Sequence, residues 1–229
     1  MPPAATVRCA DRIAGLFPPG AVAFELSGDG DPAALHPLES REVEGSILRR
    51  RQQFAAGRAC AKAALAELGM AGHALCAGPD RKPCWPAGAV GSISHTHAYC
   101  VAVAAPAARF RALGIDVEIV ARVSARIREH IATPAERAWL ETLGTDALAL
   151  AGALLFSAKE AYYKCWSGAG GNILYFQDVE LHAVDFAGGS FLVRLTAGRA
   201  HAIVPPMPAG GRFAVADGRV TCGVAAPAP

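Results

Sequence analysis

Apolar residues change their spacing several times along the chain, and each change marks an element. From Ser40 to about Gly69 the positions Val43, Ile47, Phe54, Ala61, Leu65 and Leu68 are multiples of three and four apart, one face of a long helix with Ser40 as the expected N-cap. Arg51 and Arg58 fall close to that face, and Arg50 flanks it. A turn-rich link, GPDRKPCWPAG, leads to AVGSISHTHAYCVAVAA, which reads as strand, short polar loop, strand. FRALGIDVEIV is a further strand. TPAERAWLETLG is a helix with Thr133 as N-cap, Pro134 at its first position and Glu136 closing a capping box. DALALAGALLFSAKEAYYKCW is a longer helix ended by SGAGG. From about Ile173 to Val224 short strands alternate with glycine turns, as in FLVRLTAG and GRFAVADGRVTCGV. The first 38 residues, punctuated by proline and glycine, give no clear element. Strands and helices mix in both halves, so the expected class is α+β.

Composition narrows the picture. With 229 residues, 52% of them hydrophobic and 18% charged, the chain is long and apolar enough for a sizeable core. A net charge of +2 is too small for general nucleic-acid binding, so an anion site has to come from local basic clusters. The seven cysteines are scattered singly with no CxxC, which reads as reduced thiols in a cytosolic protein. The start lacks a basic stretch ahead of an apolar core, and the run ALALAGALLF is about half the ~20 residues that span a bilayer. No membrane association is expected.

Two stretches carry candidate chemistry. In GIDVE, strand alternation points Asp116 and Glu118 one way and Ile115 and Val117 the other. Two carboxylates so placed repel unless a positive charge lies between them, and a hard divalent cation suits such oxygens. A strand with one solvated polar face explains the same pattern. In FSAKEAYYK, Glu160 and Lys164 are four apart in the order of a surface ion pair, with Lys159 as ordinary solvated charge. The metal reading needs Glu160 to join Asp116 and Glu118, which spacing alone does not decide.

GIDVE followed by FSAKEAYYK resembles the paired signatures of the Sfp-type 4′-phosphopantetheinyl transferases. RRRQQFAAGRACAKAAL, RKPCWPAGAVGSISHT and TPAERAWL resemble the branch typified by the enterobactin synthetase component D enzyme. The likeness runs from about Arg49 to Lys164, with weaker support from ILYFQDVEL.

The resemblance implies a fold of two similar α/β halves related by a pseudo-twofold, divided at residues 1–112 and 113–229, with coenzyme A in the cleft between them. It implies transfer of the phosphopantetheine arm of coenzyme A to a serine of an apo carrier protein, with release of 3′,5′-ADP. Asp116, Glu118 and Glu160 then hold Mg²⁺, or Mn²⁺, on the pyrophosphate. Glu160 is the candidate base, directly or through water, and Lys164 stabilises the transition state. Arg50, Arg58, Arg81 and Lys82 become phosphate contacts, with Arg51 an alternative to Arg50. Ser94 and His95 match a nucleotide-contacting pair, and Lys159 is carried as a phosphate contact. His97 reads as structural, the three tryptophans as core or cover, and Tyr162 and Tyr163 as core unless one lines the coenzyme pocket. The resemblance also implies a cytoplasmic monomer whose partners are acyl, peptidyl or aryl carrier domains of siderophore, polyketide, non-ribosomal peptide or fatty-acid synthesis. Two rivals stand beside it: another Mg²⁺-dependent phosphoryl or nucleotidyl transferase, and a non-catalytic carrier-binding module. No GxxxxGK[ST] loop favours the first, and the intact set Asp116, Glu118, Glu160 and Lys164 speaks against the second.

Overall fold

A computed structural model describes residues 6–196 and 207–229. The first sheet contains β1 (Val7–Cys9), β2 (Val22–Ser27), β3 (Ala89–Thr96) and β4 (Tyr99–Pro106), in the order β1-β2-β4-β3 and antiparallel throughout. The second contains β5 (Phe110–Ile119), β6 (Val179–Asp185), β7 (Ser190–Leu195), β8 (Gly210–Ala216) and β9 (Arg219–Pro227), in the order β5-β9-β8-β7-β6. Short helices α1 (Asp11–Ala14), α2 (Pro37–Arg41), α4 (Ala125–Ile131) and α5 (Pro134–Glu141) fill the connections. Two long helices, α3 (Leu48–Glu67) and α6 (Thr145–Gly168), pack on the first and second sheet respectively. The α+β class expected from the pattern is therefore the observed one.

Alternation along two strands builds the core. Tyr99, Val101, Val103 and Ala105 of β4 join Leu113, Ile115 and Val117 of β5 in an apolar layer that includes Ile13 and Phe17. Cys100 and Ala102, on the other face of β4, pack with Ala61 and Leu65 of α3. The second sheet and α6 enclose the largest cluster, around Leu154, Trp166, Phe191 and Cys222. Edge strands β3 and β5 belong to different sheets, and side chains join them: Ile115 N–H donates to Ser92 Oγ at 3.1 Å and Val117 N–H to Ser94 Oγ at 3.3 Å.

Several expected boundaries shift. The helix predicted from Ser40 is two helices. Pro37 starts α2 early, the His36 ring accepts from Leu38 N–H, and Glu39 closes the box on His36 N–H, so Ser40 lies inside a helix. Val43 sits buried in the following turn, and Ile47, 76% exposed, is the N-cap of α3 and no part of its buried face. The segment without a clear element holds β1, α1 and β2, which are too short to show a periodicity. The box on α5 forms as predicted, and the strand-rich tail is β6 to β9, with Asp217 and Gly218 at positive φ in the β8–β9 hairpin. The part of that tail at 197–206 lies outside the described residues.

Candidate active site

The site begins with a glycine. A Cβ on Gly114 would stand 1.9 Å from the Ala161 carbonyl oxygen and 2.7 Å from the Cys165 nitrogen, so only glycine lets α6 approach the β5 backbone this closely. The approach sets Glu160 and Lys164 against the polar face of β5. Lys164 Nζ donates to Asp116 Oδ1 at 2.7 Å and to the Ile115 carbonyl at 3.1 Å. Ile115 and Val117 face the buried layer between the sheets, so the alternation read from GIDVE holds.

Asp116 is only 4% exposed. Its Oδ1 also accepts from Ser94 Oγ at 2.8 Å, and its backbone carbonyl accepts from Ser157 Oγ at 3.1 Å. Its Oδ2 is buried without a hydrogen-bond partner. Burial, then the Asp116 charge, then Glu160 push the Glu118 carboxyl up to about 7, against the pull of Lys164. Burial and Asp116 likewise raise Glu160 above its ordinary value, opposed by Lys164. The three carboxylates thus share one electrostatic field. Among the described residues no three potential ligands are drawn tightly enough to cage an ion as they stand. The chemistry nevertheless fits a hard dication. The donors are carboxylate oxygens, one buried oxygen lacks a partner, and burial together with mutual repulsion raises two of the groups.

A second cluster lies beside the first. A pocket of about 550 Å³ is lined by Arg50, Arg58, Arg81 and His95 together with Gln53 and Phe54. Arg58 is buried, stacked 4.1 Å over the Phe54 ring and 3.9 Å from Glu42, and its Nε has no partner. Burial lowers its pKa, partly offset by Glu42. Glu42 is held in turn by Ala77 N–H at 2.7 Å. Arg81 sits at φ 64 in the turn between Gly78 and Lys82, a left-handed conformation uncommon outside glycine. His95 keeps contact with solvent. Loss of hydration and then the Arg50 and Lys164 charges hold its imidazole below the ordinary value, with Asp116 opposing them.

Arg50 and Arg51 are both exposed, and of the two only Arg50 lines this pocket. The remaining candidates have partners within the protein. Lys82 pairs with Asp80 at 2.8 Å and reaches the Ser167 carbonyl at 3.4 Å. Lys159, taken as a phosphate contact, has its three donors engaged by Glu136 Oε2 at 2.7 Å, the Ile131 carbonyl at 2.8 Å and the Phe176 carbonyl at 2.9 Å. It is a buried structural ion pair. Ser94, taken as a nucleotide contact, is turned into the Asp116 network. Tyr163 lines an apolar pocket of about 260 Å³ with Glu160, Leu174 and Phe176, while Tyr162 is in the core. Trp166 is buried, and Trp85 and Trp139 cover the clusters they pack on. All seven cysteines are free thiols. The sequence reading missed Glu42, Phe54, Ser157 and the Glu136 partner of Lys159.

The model of the 4′-phosphopantetheinyl transferase N-terminal domain matches residues 38–105, and that of the 4′-phosphopantetheinyl transferase superfamily matches residues 112–204. The 4′-phosphopantetheinyl transferase Npt of Nocardia iowensis is 34% identical over 221 residues, 93% of this chain and 99% of its own. Svp of Streptomyces mobaraensis, also a 4′-phosphopantetheinyl transferase, is 36% identical over 229 residues, 95% of this chain and 90% of its own. Enterobactin synthase component D of Escherichia coli K12 is 37% identical over 118 residues, 51% of this chain and 54% of its own. Among solved structures, a Bacillus anthracis holo-(acyl-carrier-protein) synthase in complex with coenzyme A superposes with a TM-score of 0.42 at 21% identity, over 53% of this chain and 100% of that one. With one family model on each side of the β4–β5 junction and relatives matched along nearly their whole length, the chain belongs to the 4′-phosphopantetheinyl transferase superfamily.

Proposed function

We propose that the chain transfers the 4′-phosphopantetheine arm of coenzyme A to a serine hydroxyl of an apo carrier protein, releasing 3′,5′-ADP. The observation that carries this reading is a pair of consecutive residues on β3. Ser94 holds Asp116 of the carboxylate cluster, and His95 lines the arginine pocket, so one strand joins an acidic site to an anion site. A substrate with a pyrophosphate and a separate 3′-phosphate suits that pairing.

In this reading Arg50, Arg58 and Arg81 bind the phosphates by their forks, and His95 adds a contact to the nucleotide end. Arg58 Nε is buried without a hydrogen-bond partner, a donor that an anion reaching it would satisfy. Asp116, Glu118 and Glu160 hold Mg²⁺, or Mn²⁺, which supplies neutralising charge at the pyrophosphate. Lys164 has two of its three donors engaged, and the third is free to meet a phosphate oxygen. The serine oxygen attacks the phosphorus that bears the pantetheine arm, and the bond to the 3′,5′-ADP oxygen breaks. Glu160, its carboxyl raised by burial, takes the serine proton directly or through one water. Residues 1–112 thus supply the basic groups and residues 113–229 the carboxylates. The acceptors are carrier domains of siderophore, polyketide or non-ribosomal peptide synthesis, in keeping with relatives named for enterobactin synthase. No helix of the described residues is long and apolar enough to cross a membrane. The free thiols fit a reducing compartment such as the cytoplasm.

Chromatography of a reaction with coenzyme A, Mg²⁺ and an apo carrier tests the reading. It predicts 3′,5′-ADP in proportion to carrier, and none with a carrier whose acceptor serine is alanine. Release of a nucleotide product without any carrier would favour a different phosphoryl or nucleotidyl transferase.

A further inference from the structure

Ser94 has a single hydroxyl proton and two demands on its oxygen, and the fold settles both. Its Oγ donates to Asp116 Oδ1 at 2.8 Å and accepts the N–H of Val117 at 3.3 Å. The side chain is 5% exposed and lies in the seam where β3 and β5 meet without backbone pairing. A hydroxyl so engaged has no proton left to donate to a phosphate oxygen. Asp116 is fixed as a consequence. Oδ1 is taken by the Ser94 hydroxyl and the Lys164 ammonium, and Oδ2 stays buried without a partner.

We propose that Ser94 is a positioning residue for the divalent cation, locking the Asp116 carboxylate through Oδ1 so that Oδ2 is presented to the metal, and that it does not contact coenzyme A. This rests on the transferase reading of the same site. Ser92 provides an internal comparison. It bridges the same seam by accepting Ile115 N–H at 3.1 Å, with no hydrogen bond to Asp116 among the described contacts. Groups that orient a metal ligand from outside the coordination shell typically matter roughly 10–100-fold in metal affinity.

The test is Mn²⁺ binding followed by electron paramagnetic resonance with coenzyme A saturating, beside coenzyme A binding measured calorimetrically in chelator. Ser94→Ala should weaken Mn²⁺ by roughly 10–100-fold and leave coenzyme A affinity in chelator unchanged. Ser94→Thr, which keeps the hydroxyl, should restore most of the Mn²⁺ affinity. Ser92→Ala should lower the melting temperature without weakening Mn²⁺. If Ser94→Ala does not fold, Ser94→Cys carries the test, because a thiol is a poor donor. Unchanged Mn²⁺ affinity with weakened coenzyme A would overturn the proposal and restore Ser94 as a nucleotide contact. Equal Mn²⁺ losses in the Ser92 and Ser94 variants would also overturn it, by assigning the effect to seam packing. Absence of Mn²⁺ binding by the unaltered protein would sink both the proposal and the metal reading beneath it, while tight coenzyme A binding would leave the phosphate pocket standing.

Discussion

Replacing Lys159 by methionine separates two roles that the sequence could not. Lys159 and Glu136 side chains are each 1% exposed and 2.7 Å apart. Methionine fills most of the same volume but removes the ammonium, leaving the Glu136 carboxylate buried with only the N–H groups of Thr133 and Leu181 as donors. The Ile131 and Phe176 carbonyls lose a partner at the same time. Breaking one side of a buried pair costs about 3–5 kcal/mol. At about 2–4 °C per kcal/mol for a chain of this size, the melting temperature should fall by roughly 6–20 °C. Circular dichroism melting gives that figure, and calorimetry well below the transition gives coenzyme A affinity, which should not change. The double variant Lys159→Met/Glu136→Gln should recover part of the loss, because the stranded charge is gone. An unchanged melting temperature together with weakened coenzyme A binding would refute the reasoning and make Lys159 a phosphate ligand.

Three further outcomes follow from the same geometry. Arg50→Ala should weaken coenzyme A in calorimetry by roughly 10–100-fold, the loss of a charged hydrogen bond worth about 1.5–3 kcal/mol, while Arg51→Ala should leave it unchanged; the reverse order would move the register. Gly114→Ala places a methyl group 1.9 Å from the Ala161 oxygen, so α6 must move off β5; turnover should collapse and stability should fall by about 1–3 kcal/mol or more, read by denaturant melts. Burial works to raise the Glu39 carboxyl, but Lys62 at 2.6 Å and the N–H groups of Leu75 and His36 overcome it and hold the pKa below the ordinary value. A depressed folded pKa adds stability above the unfolded pKa that is lost as pH falls through the folded one, so the advantage of the unaltered protein over Glu39→Gln should shrink below about pH 4 in denaturant titrations.

The sequence made some of this arrangement readable. Alternation in GIDVE sorted Asp116 and Glu118 from Ile115 and Val117, because a strand's two faces follow from covalent geometry alone. The Thr133–Glu136 box was legible because both partners are local. Contacts across the fold were not legible. Ser94 meets Asp116 across 22 positions and Lys159 meets Glu136 across 23, between elements whose approach depends on packing. Arg50 and Arg51 differ by about 100° around a helix, so a one-residue ambiguity in a run of arginines decides which one faces the pocket. The start of α3 was misplaced because Val43 and Ile47 share its period while the chain from Glu42 to Ile47 is a turn.

The central claim is that this site moves the phosphopantetheine arm onto a carrier serine, and the intact mass of an apo carrier after incubation with coenzyme A and Mg²⁺ tests it most directly. The account predicts a gain of one phosphopantetheine with the unaltered protein, and no gain with chelator or with Glu160→Ala. An unchanged mass on peptidyl, polyketide and fatty-acid carriers, despite tight coenzyme A binding, would contradict it and leave a protein that binds the coenzyme without transferring its arm.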